Sequence, residues 1–128
     1  MVFFDSTMAD DRVNAGVLVG VLLAAGHFGG DGRQAQITLK MHIDHSALFA
    51  WIERHFPGGR VYGPYHHGGR HYYQWMARGE YLQDVLVPIL DEHLTTELDA
   101  SAAQRYLTMK ERYRLQRRLE PLSGEITT

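Results

Sequence analysis

The chain has no cysteine among its 128 residues, which excludes a disulfide framework and a thiolate metal site. It also lacks a hydrophobic run of membrane-spanning length, and its first residues lack the basic start and long apolar stretch of a signal peptide. We therefore expect an intracellular, cytoplasmic protein with no membrane contact. Hydrophobic residues make up 45% of the chain and charged residues 22%, which favours one globular domain with a sizeable core.

Charge is unevenly distributed, although the net charge is only −2. Between His27 and Arg78 the sequence has six Lys or Arg and three Asp or Glu residues, together with seven of the eight histidines. From Gly79 to Ala100 there are six acidic residues and no Lys or Arg, whereas the remaining residues contain six basic and three acidic ones. This pattern predicts an acidic region and a basic face that binds phosphate locally.

The most informative stretch runs from Gly16 to Phe28 and has no charged residue before His27. A helix of this composition is expected to be buried on nearly every side. Small residues recur every fourth position, at Gly16, Gly20 and Ala24, and therefore fall on one helix face. Because glycine inside a helix costs about 0.5–1 kcal/mol relative to alanine, this spacing predicts a close contact with a second helix.

Hydrophobic periodicity and turn residues predict the order helix, two strands, helix, two strands, helix, and one further helix. In two of the strands, from Gln34 to Ile43 and from Arg70 to Arg78, polar and apolar residues alternate, which predicts a sheet with one buried and one polar face. The first helix is expected to run from Asp10 or Asp11 to Ala25, and a very short strand should precede a glycine turn at 29–32. A helix from Asp44 to Phe56, a strand from Arg60 to Tyr65 and a turn at 67–69 should follow. The next helix is expected from Glu80 to His93, bent at Pro88 and with Leu82, Val85, Leu86, Ile89 and Leu90 inward, and the final helix from Ala100 to Leu119. Residues 1–9 are expected to be a loose lead-in, 10–119 a single domain, and 120–128 a flexible tail.

The nine residues from Leu18 to Gly26, followed by His27 and Phe28, resemble the LAGLIDADG motif of homing endonucleases. Leucine, glycine, alanine and glycine match at the first, third, seventh and ninth motif positions, and the predicted order of elements matches the αββαββα order of that fold. The two motif aspartates are replaced by Leu23 and Ala25. In the family the second aspartate binds the metal ion that supports DNA cleavage, so the resemblance implies the fold without this chemistry.

The resemblance implies an α+β fold in which helices cover one face of an antiparallel, saddle-shaped sheet. Proteins of this family with a single motif pair as homodimers across the motif helix, so Gly16, Gly20 and Ala24 are the expected dimer interface. The alternative is that these residues pack against helices of their own chain.

The resemblance also implies that the open sheet face lies in the major groove of DNA. Arginine and lysine read guanine there, glutamine reads adenine, and aromatic or small side chains contact thymine methyl groups. The polar positions of the predicted strands contain these residue types, whereas the alternative is an ordinary solvated sheet face. The expected DNA-binding residues are Arg33, Gln34, Gln36, Thr38, Lys40, Arg60, Tyr62, Arg70, Tyr72 and Gln74. Phosphate contacts or a solvated helix face are the two interpretations of Arg112, Arg114, Arg117 and Arg118.

No catalytic residue, cofactor or metal ligand is expected. Asp31 is expected to form a turn and Asp44 to cap a helix. The histidines at 42, 45, 66, 67 and 71 are expected to be surface or DNA-facing side chains, with a zinc or nickel site as the alternative. The sequence thus predicts a homodimer that binds double-stranded DNA without cutting it, with a role in regulation as one option. The alternatives are a metal-dependent endonuclease with a relocated carboxylate and an RNA- or protein-binding module.

Overall fold

A computed structural model of the chain describes the backbone of residues 2–115 and the side chains of residues 10–115. Helix α1 (Val2–Ala25) leads into strand β1 (Gly26–Gly30), and after a turn β2 (Ala35–His42) follows. A single 3-10 turn, Ile43–His45, precedes helix α2 (Ser46–His55), and the hairpin of β3 (Arg60–His67) and β4 (Arg70–Arg78) comes next. Helix α3 consists of the consecutive segments Gly79–Tyr81, Leu82–Leu86 and Val87–His93, and helix α4 (Ala100–Tyr113) is the last element described. The predicted order of elements is confirmed.

The four strands form one antiparallel sheet in the order β1-β2-β4-β3. Residues that face each other across neighbouring strands share a sheet face, and the pairs Ile37 with Ala77 and Leu39 with Trp75 lie on the buried one. The four described helices pack on that side, and each of them contacts at least one strand. The alternation predicted for β2 and β4 is therefore confirmed, and the opposite face carries no helix among the described elements.

Helix α1 begins at Val2, so the predicted start at Asp10 or Asp11 is wrong. Residues 2–9 contain neither glycine nor proline that would break a helix, and Asp10 and Asp11 stand within the helix with exposed side chains. The predicted end at Ala25 is confirmed. A Cβ added to Gly26 would approach Leu22 O to 2.7 Å, so the chain turns from α1 into β1 where only glycine fits.

The segment after β2 differs from the prediction at its start. The α-helix begins at Ser46 instead of Asp44, and the cap of the preceding 3-10 turn is His42, whose Nδ1 accepts a hydrogen bond from the backbone N–H of Asp44 at 3.0 Å. Asp44 therefore does not cap this segment, because a histidine side chain already takes the free N–H.

Helix α3 contains a π-helical stretch where a bend at Pro88 was predicted. The N–H of Val87 bonds to Leu82 O, five residues back, which widens the turn directly before the proline. Proline lacks an N–H and its ring presses against the carbonyl four residues earlier, so a wider turn relieves this clash. The wider turn holds one more residue than a regular helical turn, which shifts the buried face of the helix. Val85, predicted to point inward, is exposed, and Val87 is fully buried in its place.

Helix α4 starts as predicted, because the Asp99 carboxylate accepts a hydrogen bond from the N–H of Ala102 at 2.8 Å. It ends at Tyr113, where Arg114 adopts a left-handed conformation with φ 56°, so the predicted end at Leu119 is too late. The expected tail, Arg117 and Arg118 lie outside the described residues. Tyr106 anchors the helix to α3, since its hydroxyl lies 2.7 Å from the Asp91 carboxylate that also receives Lys110 Nζ at 2.7 Å.

Candidate nucleic-acid interface

The face of the sheet opposite the helices carries mainly polar and aromatic side chains, with Met76 among them. The register pairs Thr38 with Met76, Lys40 with Gln74, and Gln74 in turn with Tyr62. Side chains on three strands therefore project to the same side, and none of these residues is buried. Eight of the ten predicted DNA-binding residues occupy strand positions of this open face: Gln36, Thr38, Lys40, Arg60, Tyr62, Arg70, Tyr72 and Gln74.

No acidic residue occurs in any of the four strands, whereas Lys40, Arg60, Arg70 and Arg78 supply positive charge to them. Register places all four cations on the open face, because Arg78 lies opposite Gln36 and Arg60 opposite Met76. The local potential of this face is consequently positive, although the net charge of the whole chain is −2.

One end of the open face carries a cluster of aromatic and cationic side chains centred on Tyr72. Tyr65 lies 5.4 Å and His67 6.2 Å from the Tyr72 ring, measured between ring centroids. Lys40 Nζ and Arg70 Cζ lie 5.6 Å and 5.9 Å from the centre of the same ring. These separations are typical of cation–π contacts, so both cations lie over the Tyr72 ring while their side chains stay exposed.

Tyr65 and His67 join this face only because β3 contains an irregularity. The register shifts between Tyr62, which opposes Gln74, and Tyr65, which opposes Tyr72, and a cis peptide bond joins Gly63 to Pro64 within the shift. A bulge of this kind changes which residues of a strand share a face. Beyond it the odd-numbered residues of β3 point to the open side.

Arg33 and Gln34 lie in the turn between β1 and β2, not on a strand. Asp31 shapes this turn as predicted, since its Oδ1 accepts the backbone N–H groups of Arg33 and Gln34 at 2.8 Å each. These two bonds hold the pKa of Asp31 below its ordinary value, because they favour the charged carboxylate. Both residues line a cavity of about 310 Å³, which Glu80 and Tyr113 also line. The structure therefore places Arg33 beside α3 and α4 at one edge of the open face.

An exposed stripe of small and β-branched residues runs along α1. Val13 is 61% and Val17 41% exposed, and Gly16, Gly20 and Ala24 on the same side are also exposed. A Cβ added to either glycine would have no atom of the described residues within 4 Å. These glycines therefore do not pack against any helix described here, contrary to the alternative, and the expectation that the helix is buried on nearly every side is wrong. In this part of α1, Leu18, Val19 and Leu22 are buried in the core, and Val21 and Leu23 pack against it.

The two positions that correspond to motif aspartates offer no oxygen atom. Leu23 is partly buried against the core and Ala25 is exposed at the end of α1. A metal ion at this end would need ligands from elsewhere. In residues 10–115, no group of three or more His, Asp or Glu side chains is arranged to hold a metal ion. Two histidines nevertheless approach closely, as the Nδ1 atoms of His66 and His71 lie 2.6 Å apart.

Several residues of the open face were not among the predicted DNA-binding residues. Arg78 has the same strand parity as Gln74, so the alternation of β4 alone would have identified it. His27 lies opposite Thr38, which follows only from the pairing of β1 with β2. Tyr65 and His67 depend on the bulge in β3, and in the sequence the Gly63-Pro64 pair is the only sign of it.

Neither a family model nor a curated protein sequence matches the chain. Solved structures do. The group I intron-encoded homing endonuclease I-CeuI, complexed with DNA, superposes with a TM-score of 0.60 at 10% identity, over 80% of this chain and 53% of that one. The archaeal intron-encoded homing endonuclease I-Vdi141I, complexed with DNA, gives 0.59 at 16% identity, over 77% of this chain and 65% of that one. The I-SmaMI LAGLIDADG homing endonuclease, bound to cleaved DNA, gives 0.52 at 13% identity, over 88% of this chain and 47% of that one.

The chain thus spans between 47% and 65% of the length of these three proteins. At such low identity the likeness concerns the course of the backbone and not the side chains. A separate finding bears on the expectation about membranes: none of the helices in the described part of the chain has the length and apolar character needed to cross a bilayer.

Proposed function

We propose that this chain, which has the fold of the LAGLIDADG homing endonucleases, binds double-stranded DNA on the open face of its sheet as a homodimer and does not cut it. The resemblance of residues 18–28 to the family motif agrees with the fold found by structural comparison. The observation that carries the proposal is the composition of the open face, which combines four cations with glutamine, threonine and tyrosine and contains no acidic residue.

The residue types on this face fit base reading in the major groove. Lys40 and Gln74 lie opposite each other, so a hydrogen-bond donor for guanine stands beside an amide that suits adenine. Thr38 and Tyr62 flank this pair and offer contacts for thymine methyl groups. The arginines stand at the edges of the array, where phosphates would lie, so they are expected to set affinity, with the central residues setting specificity.

The exposed stripe on α1 supports the homodimer. An apolar helix face without side chains at two positions fits the close approach of a second helix, and a two-fold axis would bring the same stripe of another copy against it. Two copies would place two open faces side by side, so the bound DNA would carry two related half-sites. The absence of side-chain oxygens at Leu23 and Ala25 supports binding without cleavage.

Selection from a random duplex library tests binding and symmetry together. We expect enrichment of a sequence with two inverted half-sites, and fluorescence anisotropy should then show a dissociation constant that rises steeply with salt. Enrichment of sequences without internal symmetry would contradict the homodimer. Equal affinity for duplex DNA, RNA and heparin would contradict specific DNA recognition and would favour the alternative of an RNA- or protein-binding module.

Two variants and one control locate the binding face. Arg60→Ala and Lys40→Ala should each weaken duplex binding and, where a phosphate contact is lost, reduce the salt slope by about 1. Arg54→Ala is the matched control, since Arg54 is equally exposed but lies on α2, on the helical side of the sheet. Loss of binding in Arg54→Ala with retention in Arg60→Ala would refute the assignment of the face. Incubation of the enriched duplex with Mg²⁺ should leave it intact, and strand cleavage would refute the non-cutting assignment.

A further inference from the structure

The hairpin of β3 and β4 extends beyond the rest of the sheet. Strand β2 ends at His42, which lies opposite Tyr72, so the residues of the hairpin between His66 and His71 have no third strand beside them. His66 and His71 oppose each other directly in this two-stranded end. Both side chains are exposed, and they point to the face opposite that of Tyr72 and Arg70. Solvent and dissolved ions therefore reach the pair freely.

The two imidazole rings are arranged with their Nδ1 atoms converging. These atoms lie 2.6 Å apart, while the ring centroids are 4.8 Å apart and the ring planes make an angle of 58°. As free side chains, one ring must donate a proton that the other accepts, because two lone pairs or two N–H groups cannot face each other at this distance. The backbone register places the two side chains opposite each other, and this shared proton holds their Nδ1 atoms together.

The separation of the nitrogens fits one kind of coordination. Two imidazoles at adjacent corners of a square-planar or tetragonal ion are about 2.8 Å apart, for metal–nitrogen bonds near 2.0 Å. A tetrahedral ion with similar bonds requires about 3.3 Å between the nitrogens. The 2.6 Å of the hydrogen-bonded pair would have to widen by only about 0.2 Å for the first arrangement and by about 0.7 Å for the second. Cu²⁺ and Ni²⁺ are the divalent ions that prefer square-planar or tetragonal sites with nitrogen ligands.

We propose that His66 and His71 form a two-nitrogen chelate for Cu²⁺ or Ni²⁺ at the tip of the hairpin. The remaining coordination positions belong to water, because no group of three or more potential ligands exists among residues 10–115. The ion is therefore exchangeable and not a structural one. This site is separate from the DNA-binding face and does not depend on the proposed function.

Neighbouring histidines define the limits of the site. The His42 ring lies 6.5 Å from that of His71 and nearly perpendicular to it, and its Nδ1 already accepts the N–H of Asp44. The His67 ring points to the other face of the hairpin, where it stacks on Tyr65 at 6.0 Å. Neither is thus a ligand, although His67 follows His66 directly in the sequence and His42 lies near His71 in space. His67→Gln is the matched control, since it removes a histidine from the same hairpin without touching the chelate.

Titration of the untagged chain with CuSO₄ or NiCl₂, followed by calorimetry, tests the site. We expect one ion per chain in the first binding phase, a Cu²⁺ electron paramagnetic resonance spectrum with two equivalent nitrogens, and weaker binding of Zn²⁺. His66→Gln and His71→Gln should each weaken Ni²⁺ binding by about 10- to 100-fold, because a chelate with one ligand removed loses its intramolecular second contact. His67→Gln should bind as the unmodified chain does.

Three results would overturn the proposal. These are the absence of a saturable first phase, a Cu²⁺ spectrum with a single nitrogen, and unchanged affinity in both His66→Gln and His71→Gln. Circular dichroism of each variant separates loss of a ligand from loss of the fold, and nuclear magnetic resonance of the imidazole groups identifies the nitrogens that change on Ni²⁺ addition. Duplex binding of His66→Gln and His71→Gln should be retained without metal, because both side chains point away from the DNA-binding face, so failure of this site is distinguishable from failure of the proposed function.

Discussion

Replacing the glycines of the α1 stripe by alanine should have opposite effects on the single chain and on its dimer. Among residues 10–115 of one chain, a Cβ added to Gly16 or Gly20 meets nothing within 4 Å. Alanine is the better helix former, so each substitution should stabilise the isolated chain by about 0.5–1 kcal/mol. For a domain of this size that corresponds to a rise in Tm of about 2–5 °C.

In the homodimer the same methyl groups would be placed between two helices. Each substitution then occurs twice, once on either side of the two-fold axis. Overpacking costs about 1–3 kcal/mol for each inserted group, so Gly20→Ala should destabilise the dimer by about 2–6 kcal/mol. The dissociation constant should rise by at least about 30-fold. Gly20→Leu should increase the effect, because its side chain would occupy the space of the partner backbone.

Sedimentation velocity over a concentration series measures the association, and thermal unfolding at low concentration measures the stability of the single chain. Ala50→Leu is the matched control, since Ala50 is an exposed helical residue on α2, away from the stripe. It should leave the mass distribution unchanged. If Gly20→Ala raises the Tm while the mass stays that of the unmodified protein at every concentration, the stripe is not an interface and the homodimer must be abandoned.

Three further changes test the interior and the turns of the fold. Gly59→Ala should lower stability by about 1–3 kcal/mol in urea unfolding, because the added Cβ would lie 2.5 Å from Nε1 of the buried Trp75; stability equal to that of the unmodified chain would contradict this packing. Tyr106→Phe should cost about 1.5–3 kcal/mol at neutral pH, since its hydroxyl bonds to the Asp91 carboxylate. Burial, together with the neighbouring Asp91, raises the pKa of Tyr106 above 10.0, so the folded state retains a proton that the unfolded chain releases. The free energy of unfolding should therefore fall as the pH rises past 10, and this decline should be weaker in Tyr106→Phe. An identical decline in both proteins would refute the raised pKa of Tyr106. Backbone N–H groups lower the pKa of Asp31 from 3.8, so the carboxylate stabilises the fold above that pH, and this stabilisation is lost as the pH falls through the pKa of the folded state. Asp31→Asn should therefore destabilise the fold at pH 7 and much less at pH 2. A difference in stability that stays constant with pH would disprove this linkage.

The order of elements and the polar sheet face were predictable because both rest on local patterns. Alternation in β2 and β4 fixes which side chains share a face, and the turn glycines mark where the strands end. Eight of the ten predicted DNA-binding residues accordingly lie on strands of the open face, with Arg33 and Gln34 in a turn at its edge. Whether these residues contact DNA stays a prediction.

The errors arose where a distant or backbone feature decides the outcome. The start of α1 was placed at aspartates that often cap helices, but nothing in the residues before them stops the helix. A regular helical period predicts Val85 on the buried side of α3. The π-helical stretch before Pro88 places Val87 there instead. The bulge in β3 moves Tyr65 to the open face. A strict alternation of inward and outward side chains cannot show where the strand register shifts by one residue.

Glycine at position 26 is required by contacts within the chain, whereas glycine at 16 and 20 is not, and this difference is the strongest argument for a second copy of the chain against α1. Gly26 is explained within the chain, since any Cβ there would collide with the backbone of Leu22 at 2.7–2.9 Å. Gly16 and Gly20 have no such neighbour among the described residues, yet together they cost the helix about 1–2 kcal/mol relative to alanine. No contact within residues 10–115 offsets this cost, whereas a second helix packed against the stripe would gain the close backbone approach that only glycine permits. The proposed homodimer would account for both glycines, because a second copy would cover the stripe.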